Sequence, residues 1–166
     1  MKRLFSLLTA ALLLGGCGIY SFSGTSIQPD VKTISIYFVE YKAQRVNPSL
    51  SNDMTEALRN KFRRLTRLEQ LDEDGDMEIS SAITGYDVRA SSVTANDVAA
   101  QNRLTVTMQV TFKDRLHPEE DFDKKSFSAY ADYDSANSLD AVESSLCAEI
   151  IEKIVEDIFN ATVAQW

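Results

Sequence analysis

The sequence predicts an α+β domain in which a four-stranded, mostly antiparallel sheet carries two helices on one face (β-α-β-β-β-α). Two kinds of pattern predict it: segments that alternate apolar and polar residues, as strands with one dry face do, and two longer segments with apolar residues at helical spacing. Packing both helices on one face of the sheet buries both apolar stripes. We therefore expect residues 32–166 to form a single domain of ordinary size.

The first predicted elements are a strand, Thr33–Tyr41, and a helix. The inward side chains of this strand are expected to be Ile34, Ile36 and Phe38. Asn47 is the predicted helix cap and Pro48 fits the first helical position, where no amide donor is needed. The helix is expected to end between Leu65 and Leu68. Its apolar stripe consists of Leu50, Met54, Ala57, Leu58, Phe62 and Leu65.

An acidic turn over residues 70–77 and then an extended segment from Met77 to about Ala90 are predicted next. Ile79, Ser81 and Ile83 share one face at period 2, whereas Tyr86 and Val88 fall on the other. This change of phase predicts a bulge near Gly85. Residues 91–101 are polar and predict a loop.

The strongest strand pattern is Arg103–Lys113, in which five apolar residues alternate with Thr and Gln. Leu116–Lys124 is predicted to be a turn, and Ser126–Asp132 a second strand that completes an antiparallel hairpin. The last helix begins at a cap, Ser138 or Asn137, and carries a long apolar stripe. Cys147 lies on that stripe, so we expect a small buried side chain; an intermolecular disulfide is the alternative.

The first sixteen residues are typical of an export signal rather than of a folded element. Lys2 and Arg3 precede an apolar run, Leu4–Leu14, which is too short to span a bilayer, since spanning takes about 20 residues. Gly15 and Gly16 then precede Cys17, in a pattern that resembles the lipobox of bacterial lipoproteins. We expect cleavage before Cys17 and lipid on its thiol, with residues 17–31 as the tether; an ordinary export signal with a chance cysteine is the alternative.

The tether also bears on location. Gly18 to Thr25 contains no acidic residue, which favours the periplasmic face of the outer membrane over inner-membrane retention or surface display. The chain as a whole is acidic, with a formal net charge of −8, and this is unfavourable for general nucleic-acid binding.

The segment CGIYSFSG from Cys17 to Gly24, the strand beginning TISIYF and the order of elements together resemble the LptE family of lipopolysaccharide-assembly lipoproteins, in the form carried by Bacteroidetes-type bacteria. The resemblance implies a role without catalysis. Members lie inside and beside a large outer-membrane β-barrel, LptD, as a plug and assembly partner. They help to deliver lipopolysaccharide to the outer leaflet and bind it through basic residues.

Two sets of residues are candidates for such contacts. A basic cluster at the end of the first helix is a candidate site for phosphate or for acidic residues of the barrel, although cations there also offset the helix dipole. Its members are Arg59, Lys61, Arg63, Arg64 and Arg67. Three tyrosines are expected on the faces opposite the apolar stripes of their strands, where they could contact the barrel or simply favour strand formation. They are Tyr37, Tyr130 and Tyr133.

The sequence offers few other residues that could be modified, bind a metal or act in catalysis. Ser135, in Asp134-Ser135-Ala136, matches a three-residue O-glycosylation motif of Bacteroidetes exported proteins, which also occurs by chance. His117 is the one histidine, and its acidic neighbours favour a solvated loop over a metal site. Without a phosphate-binding glycine loop, CxxC or HExxH, we expect no cofactor and no enzymatic activity. The alternatives are a periplasmic lipoprotein that regulates another envelope machine, such as a peptidoglycan synthase, and an envelope hydrolase.

Overall fold

The computed structural model describes residues 27–93 and 99–163. The expected signal segment 1–16, the expected lipidation site Cys17 and most of the tether lie outside these ranges, so those expectations remain predictions. Within the described ranges, no helix has the length and apolar character needed to cross a membrane.

The chain forms a mixed α+β fold, with two helices and an open six-stranded sheet in its described part. The elements are β1 Thr33–Ile36, β2 Glu40–Tyr41, α1 Leu50–Leu65, β3 Glu69–Leu71, β4 Met77–Val93, β5 Ala99–Asp114, β6 Phe122–Asp134 and α2 Leu139–Val163. The sheet order is β3-β1-β4-β5-β6, and β2 pairs with β4. The predicted antiparallel hairpin is confirmed as β5–β6, but the prediction of four strands is wrong.

One extra strand arises because the predicted strand Thr33–Tyr41 is interrupted. Ile36 pairs with Ile79 and Glu40 with Ala82, so four steps along one strand match three along the other. The additional residue turns Val39 into the core, where its amide donates to Thr55 Oγ1 at 3.0 Å. Phe38 is consequently 58% exposed, and the prediction that it points inward is wrong.

The other extra strand, β3, lies partly within the predicted acidic turn. It pairs in parallel with β1, which also pairs in parallel with β4, so the sheet is mixed. Three residues are too few to show a periodic pattern in the sequence. After β3 the acidic segment folds against β1: the Asp76 carboxylate accepts the amides of Lys32 and Thr33, each at 2.9 Å. Gly75 is required there, because a Cβ would lie 2.6 Å from the Ser35 nitrogen.

The predicted bulge near Gly85 is confirmed, since the pairing of β4 with β5 shifts register between Ile83 and Gly85. The inserted residue brings Tyr86 onto the same buried face as Ile79 and Ile83. β4 and β5 extend to Val93 and from Ala99, so the predicted loop 91–101 is shorter than expected.

Both helices bury their apolar stripes against the inner face of the sheet and against each other. Phe62 of α1 meets Phe159 of α2 edge to face, with ring centroids 5.1 Å apart. Complete burial of a large apolar side chain contributes about 1.5–3 kcal/mol, and α1 alone buries four such residues completely. They are Leu50, Met54, Leu58 and Phe62. Cys147 is buried on α2, as the sequence predicts.

Candidate functional site

Two members of the basic cluster on α1 are committed to contacts within the domain. The half-buried Arg59 guanidinium donates to the Ile36 carbonyl oxygen from Nε at 3.2 Å and Nη2 at 2.9 Å, which fixes α1 to the end of β1. Lys61 pairs with Glu156 of α2 and holds the pKa of that carboxyl below its usual range. Its ammonium also lies 5.5 Å from the Phe159 ring centroid. These two cations therefore hold the helices and sheet together.

The other three members, Arg63, Arg64 and Arg67, have no carboxylate partner among the described residues. Arg63 donates only to neutral groups, Asn60 Oδ1 at 3.0 Å and Gln70 Oε1 at 3.5 Å, while Arg64 and Arg67 are exposed. Arg63 and Arg64 lie in the last turn of α1, where their charge also offsets the helix dipole. That long-range interaction uses no guanidinium hydrogen bond, so an anion would compete only with the two neutral acceptors of Arg63.

An exposed apolar side chain completes this region, which we call the basic end: Arg63, Arg64, Leu65 and Arg67. Leu65 is 43% exposed, although it belongs to the predicted apolar stripe of α1. The helix ends there because Thr66 is extended and its hydroxyl bonds the Phe62 carbonyl oxygen at 2.7 Å. The basic end therefore combines cations with an accessible aliphatic group, a combination that periodicity alone did not predict.

The basic end also adjoins the first described residues of the chain. The Glu69 amide, two residues beyond Arg67, donates to the Lys32 carbonyl oxygen at 2.9 Å. Thr33, which follows Lys32, is the residue opposite Glu69 in the parallel pairing of β1 with β3. The segment that leads from the expected tether thus enters the domain at the C-terminal end of α1.

The tyrosine candidates separate into two environments. Tyr130 is 47% exposed on the outer face, as predicted, and the Arg103 guanidinium carbon stacks 3.6 Å from its ring centroid. Arg103 also donates two hydrogen bonds to the Asp132 carboxylate, at 2.8 and 2.9 Å. This ion pair raises the pKa of Arg103 and lowers that of Asp132. An aromatic ring stacked on a guanidinium that a carboxylate holds in place is a rigid contact surface.

Tyr37 is half-buried and donates to Glu78 Oε1 at 3.2 Å; desolvation and that carboxylate raise the pKa of its hydroxyl. Tyr133 is buried on the inner face beside Ala131, so the prediction that it lies opposite the apolar stripe is wrong. The physical reason is the two-residue period of a strand, which places residues 130 and 133 on opposite faces. Ser135, the candidate glycosylation residue, lies half-buried in the turn after β6.

His117 does not lie in a freely solvated loop but contacts Asp30, and we call this pair the clasp. Its Nε2 lies 3.1 Å from both carboxylate oxygens of Asp30, and this contact raises the pKa of His117 and lowers that of Asp30. The buried Asp114 accepts the amides of Leu116 and His117, each at 2.9 Å. Within 27–93 and 99–163, no group of three His, Cys, Asp or Glu residues is arranged to hold a metal ion.

A buried polar cluster at the opposite end of α1 was not predicted: Asn47, Tyr86, Glu143 and Cys147. Asn47 Oδ1 accepts the amides of Ser49 and Leu50 at 3.2 Å, so it caps the helix, which begins at Leu50 rather than at Pro48. Asn47 Nδ2 lies 3.5 Å from the Tyr86 hydroxyl and 3.7 Å from Cys147 Sγ. The Tyr86 hydroxyl donates to Glu143, and burial raises the pKa of both Tyr86 and Cys147.

A groove of about 590 Å³ runs between β6 and α2. The charged residues of its wall are mainly acidic, as is the chain as a whole. The basic end differs from both because its charged residues are cations. The charged residues that line it are Glu149, Glu152, Lys153, Glu156 and Asp157.

Comparison with known proteins gives a family and a fold. Residues 31–162 match the model of the LptE family, described as lipopolysaccharide-assembly. Among solved structures, the hypothetical protein CT253 from Chlamydia trachomatis is similar, with a TM-score of 0.53, 9% identity, and coverage of 79% of this chain and 98% of that one. The uncharacterized lipoprotein B from Nitrosomonas europaea gives 0.52 at 10% identity, covering 80% and 86%.

The rare lipoprotein B from Shewanella oneidensis gives a TM-score of 0.50 at 10% identity, covering 76% of this chain and 90% of that one. At such low identity these structures show a shared fold. A search of curated proteins gives no match.

Proposed function

Because the chain belongs to the LptE family of lipopolysaccharide-assembly proteins, we propose that it is an outer-membrane lipoprotein that plugs and supports a large LptD-like β-barrel. In this role it assists lipopolysaccharide transport to the outer leaflet. Lipid on Cys17 holds it at the periplasmic face. The family match over residues 31–162 carries the proposal, and the export pattern before Cys17 supports the location.

The basic end supplies the contact for lipopolysaccharide in this proposal. Lipopolysaccharide is anionic, and guanidinium groups bind phosphate through paired, charge-assisted hydrogen bonds. Arg63, Arg64 and Arg67 are the members of the predicted cluster that lack a carboxylate partner in the described structure. Arg59 and Lys61 have structural roles and are left out of the proposed contact.

A charge-reversal experiment tests this contact. The triple variant Arg63→Glu, Arg64→Glu and Arg67→Glu is expected to bind purified lipopolysaccharide at least tenfold more weakly at low salt, since it replaces three attractions with three repulsions. The matched control reverses three exposed cations elsewhere and should retain affinity. Those are Arg45, Arg89 and Lys113. Equal affinity of the triple variant and the unmodified chain would contradict the proposed contact.

The barrel partner is tested by affinity purification of the tagged lipoprotein from outer membranes. We expect a large β-barrel in stoichiometric amount and no barrel-independent enzyme activity. Tyr130→Ala should reduce the recovered barrel, because it removes the exposed ring that Arg103 holds in place. Tyr133→Phe is a suitable control, since that ring is buried. Recovery of a peptidoglycan synthase in place of the barrel would favour the alternative function.

A further inference from the structure

We infer that the basic end lies against the anionic lipid head groups of the membrane that anchors the tether, with Leu65 reaching the apolar boundary. The inference rests on the proposed lipid anchor at Cys17. It adds an orientation for the domain and a second partner, the bilayer surface itself. Contacts, tether length and local charge carry it.

The chain enters the domain at the basic end. The Glu69 amide bonds the Lys32 carbonyl oxygen at 2.9 Å, so the chain enters the domain beside the residues that follow Arg67. An anchor upstream of residue 27 therefore pulls on the same end of the molecule that carries the unpaired arginines. The opposite end of α1, at Val46, lies a helix length away, about 24 Å for 16 residues.

The expected tether is short compared with the domain. Ile27, the first described residue, lies ten positions after Cys17, and even a fully extended chain covers at most about 35 Å over that distance. β4 has 17 residues and extends for about 55 Å. The tether is thus shorter than the sheet. The tether therefore cannot let the domain stand with the far end of β4 on the bilayer. The two ends of α1 are closer together than the tether is long, and the position of the chain entry and the local charge distinguish them.

The basic end has the charge and the apolar group that suit an anionic bilayer surface. Residues 63–71 contain the three arginines of the basic end and a single acidic residue, Glu69, in a chain whose net charge is −8. Arg64 and Arg67 flank Leu65, which is 43% exposed, so one short stretch presents cations around an aliphatic side chain. Surfaces of this kind bind anionic bilayers, where each cation near the surface strengthens binding about fivefold.

The test uses the full lipidated chain reconstituted into vesicles, with Trp166→Phe as background because Trp166 is the one tryptophan. Leu65→Trp places a fluorescent probe at the basic end. Val46→Trp is the matched control: Val46 is 74% exposed, follows Arg45 and lies near the start of α1. The lipids are phosphatidylcholine with or without phosphatidylglycerol, each carrying brominated acyl chains as a quencher.

We expect bromolipids to quench the fluorescence of the Leu65→Trp chain at least twofold more than that of the Val46→Trp chain in the phosphatidylglycerol vesicles. High salt, or Arg64→Glu with Arg67→Glu, should abolish that difference. Equal quenching of the two probes, stronger quenching of the control probe at position 46, or protection of both from lipid would overturn the inference.

Two further readouts separate this outcome from failure of the proposed function. Intact mass establishes whether Cys17 carries lipid, and absence of lipid would remove the anchor itself. Affinity for detergent-dispersed lipopolysaccharide is measured on the same variants. If arginine reversal weakens that affinity while the probe at position 65 stays unquenched, the membrane orientation is wrong and the lipopolysaccharide contact stands.

Discussion

The two ends of α1 use polar side chains in opposite ways. At the N-terminal end, Asn47, Tyr86 and Cys147 are buried and bonded to one another. At the C-terminal end, Arg64 and Arg67 are exposed and make no contact with a carboxylate in the described structure. The difference teaches that, along α1, burial commits polar residues at one end to the fold, whereas exposure at the other end leaves two arginines available to a partner.

The largest expected effect at the buried end is that of Asn47→Ala. It removes the oxygen that accepts the Ser49 and Leu50 amides and leaves the Tyr86 hydroxyl with one partner fewer. We expect a loss of about 2 kcal/mol in the free energy of unfolding, measured by urea denaturation. The control is Asn60→Ala on the exposed surface of α1, which should change stability by less than about 0.5 kcal/mol. Equal effects of the two substitutions would break the comparison.

Tyr86→Phe comes next, with an expected loss of about 1 kcal/mol, because the ring stays in the core while the bond to Glu143 is lost. Tyr130→Phe is the matched control, since its ring is exposed and its contacts with Arg103 do not use the hydroxyl. Thermal unfolding of both variants measures the difference. A melting temperature lowered as much by Tyr130→Phe as by Tyr86→Phe would argue against a special role for burial.

Much of this fold could be predicted because its main elements have strong periodicity. The alternation in Arg103–Lys113 predicted β5, and the apolar stripes predicted both helices. The errors have local causes: the bulge at Phe38 adds one residue against β4, and β3 has only three residues. A one-residue insertion reverses the faces of a strand. Near Gly85 the apolar residues change phase and reveal the insertion, whereas Phe38 continues the alternation of Ile34 and Ile36, so the sequence gives no such signal there.

The candidate site was predicted only in outline. The basic cluster is visible in the sequence, but which cations are free depends on contacts across the fold. Arg59 reaches Ile36, and Lys61 reaches Glu156, 95 residues away. The proximity of Lys32 to Glu69 likewise depends on the parallel pairing of β1 with β3, which was not predicted. Long-range pairing therefore decides which members of a charged cluster can meet a ligand.

A smaller effect, dependent on pH, is expected at the clasp between His117 and Asp30. The contact raises the pKa of His117 above 6.5 and lowers that of Asp30 below 3.8. The contribution of His117 to the free energy of unfolding is complete below pH 6.5 and is lost as the pH rises through the pKa of His117 in the folded state. The contribution of Asp30 to the free energy of unfolding is present above pH 3.8 and is lost as the pH falls through the pKa of Asp30 in the folded state.

The clasp thus stabilises the domain most between these two values. In the unmodified chain the urea concentration at the unfolding midpoint should fall between about pH 5 and about pH 8, and His117→Gln should make this fall smaller. The pH dependence of unfolding, measured for both chains in the same buffers, checks this expectation. Superimposable pH profiles for the two chains would show that the clasp makes no contribution.

The smallest expected effect on stability belongs to the residues expected to matter most for binding. Arg64→Ala with Arg67→Ala should change the free energy of unfolding by less than about 0.5 kcal/mol, since the exposed guanidinium groups lose only their interaction with the helix dipole. Arg59→Ala should cost more, because it breaks the two bonds to the Ile36 carbonyl oxygen. Urea denaturation and lipopolysaccharide affinity, measured on the same preparations, should therefore give opposite rankings. If the Arg64 and Arg67 substitutions instead cost as much stability as Arg59→Ala, these arginines serve the fold. The two ends of α1 would then no longer differ in kind.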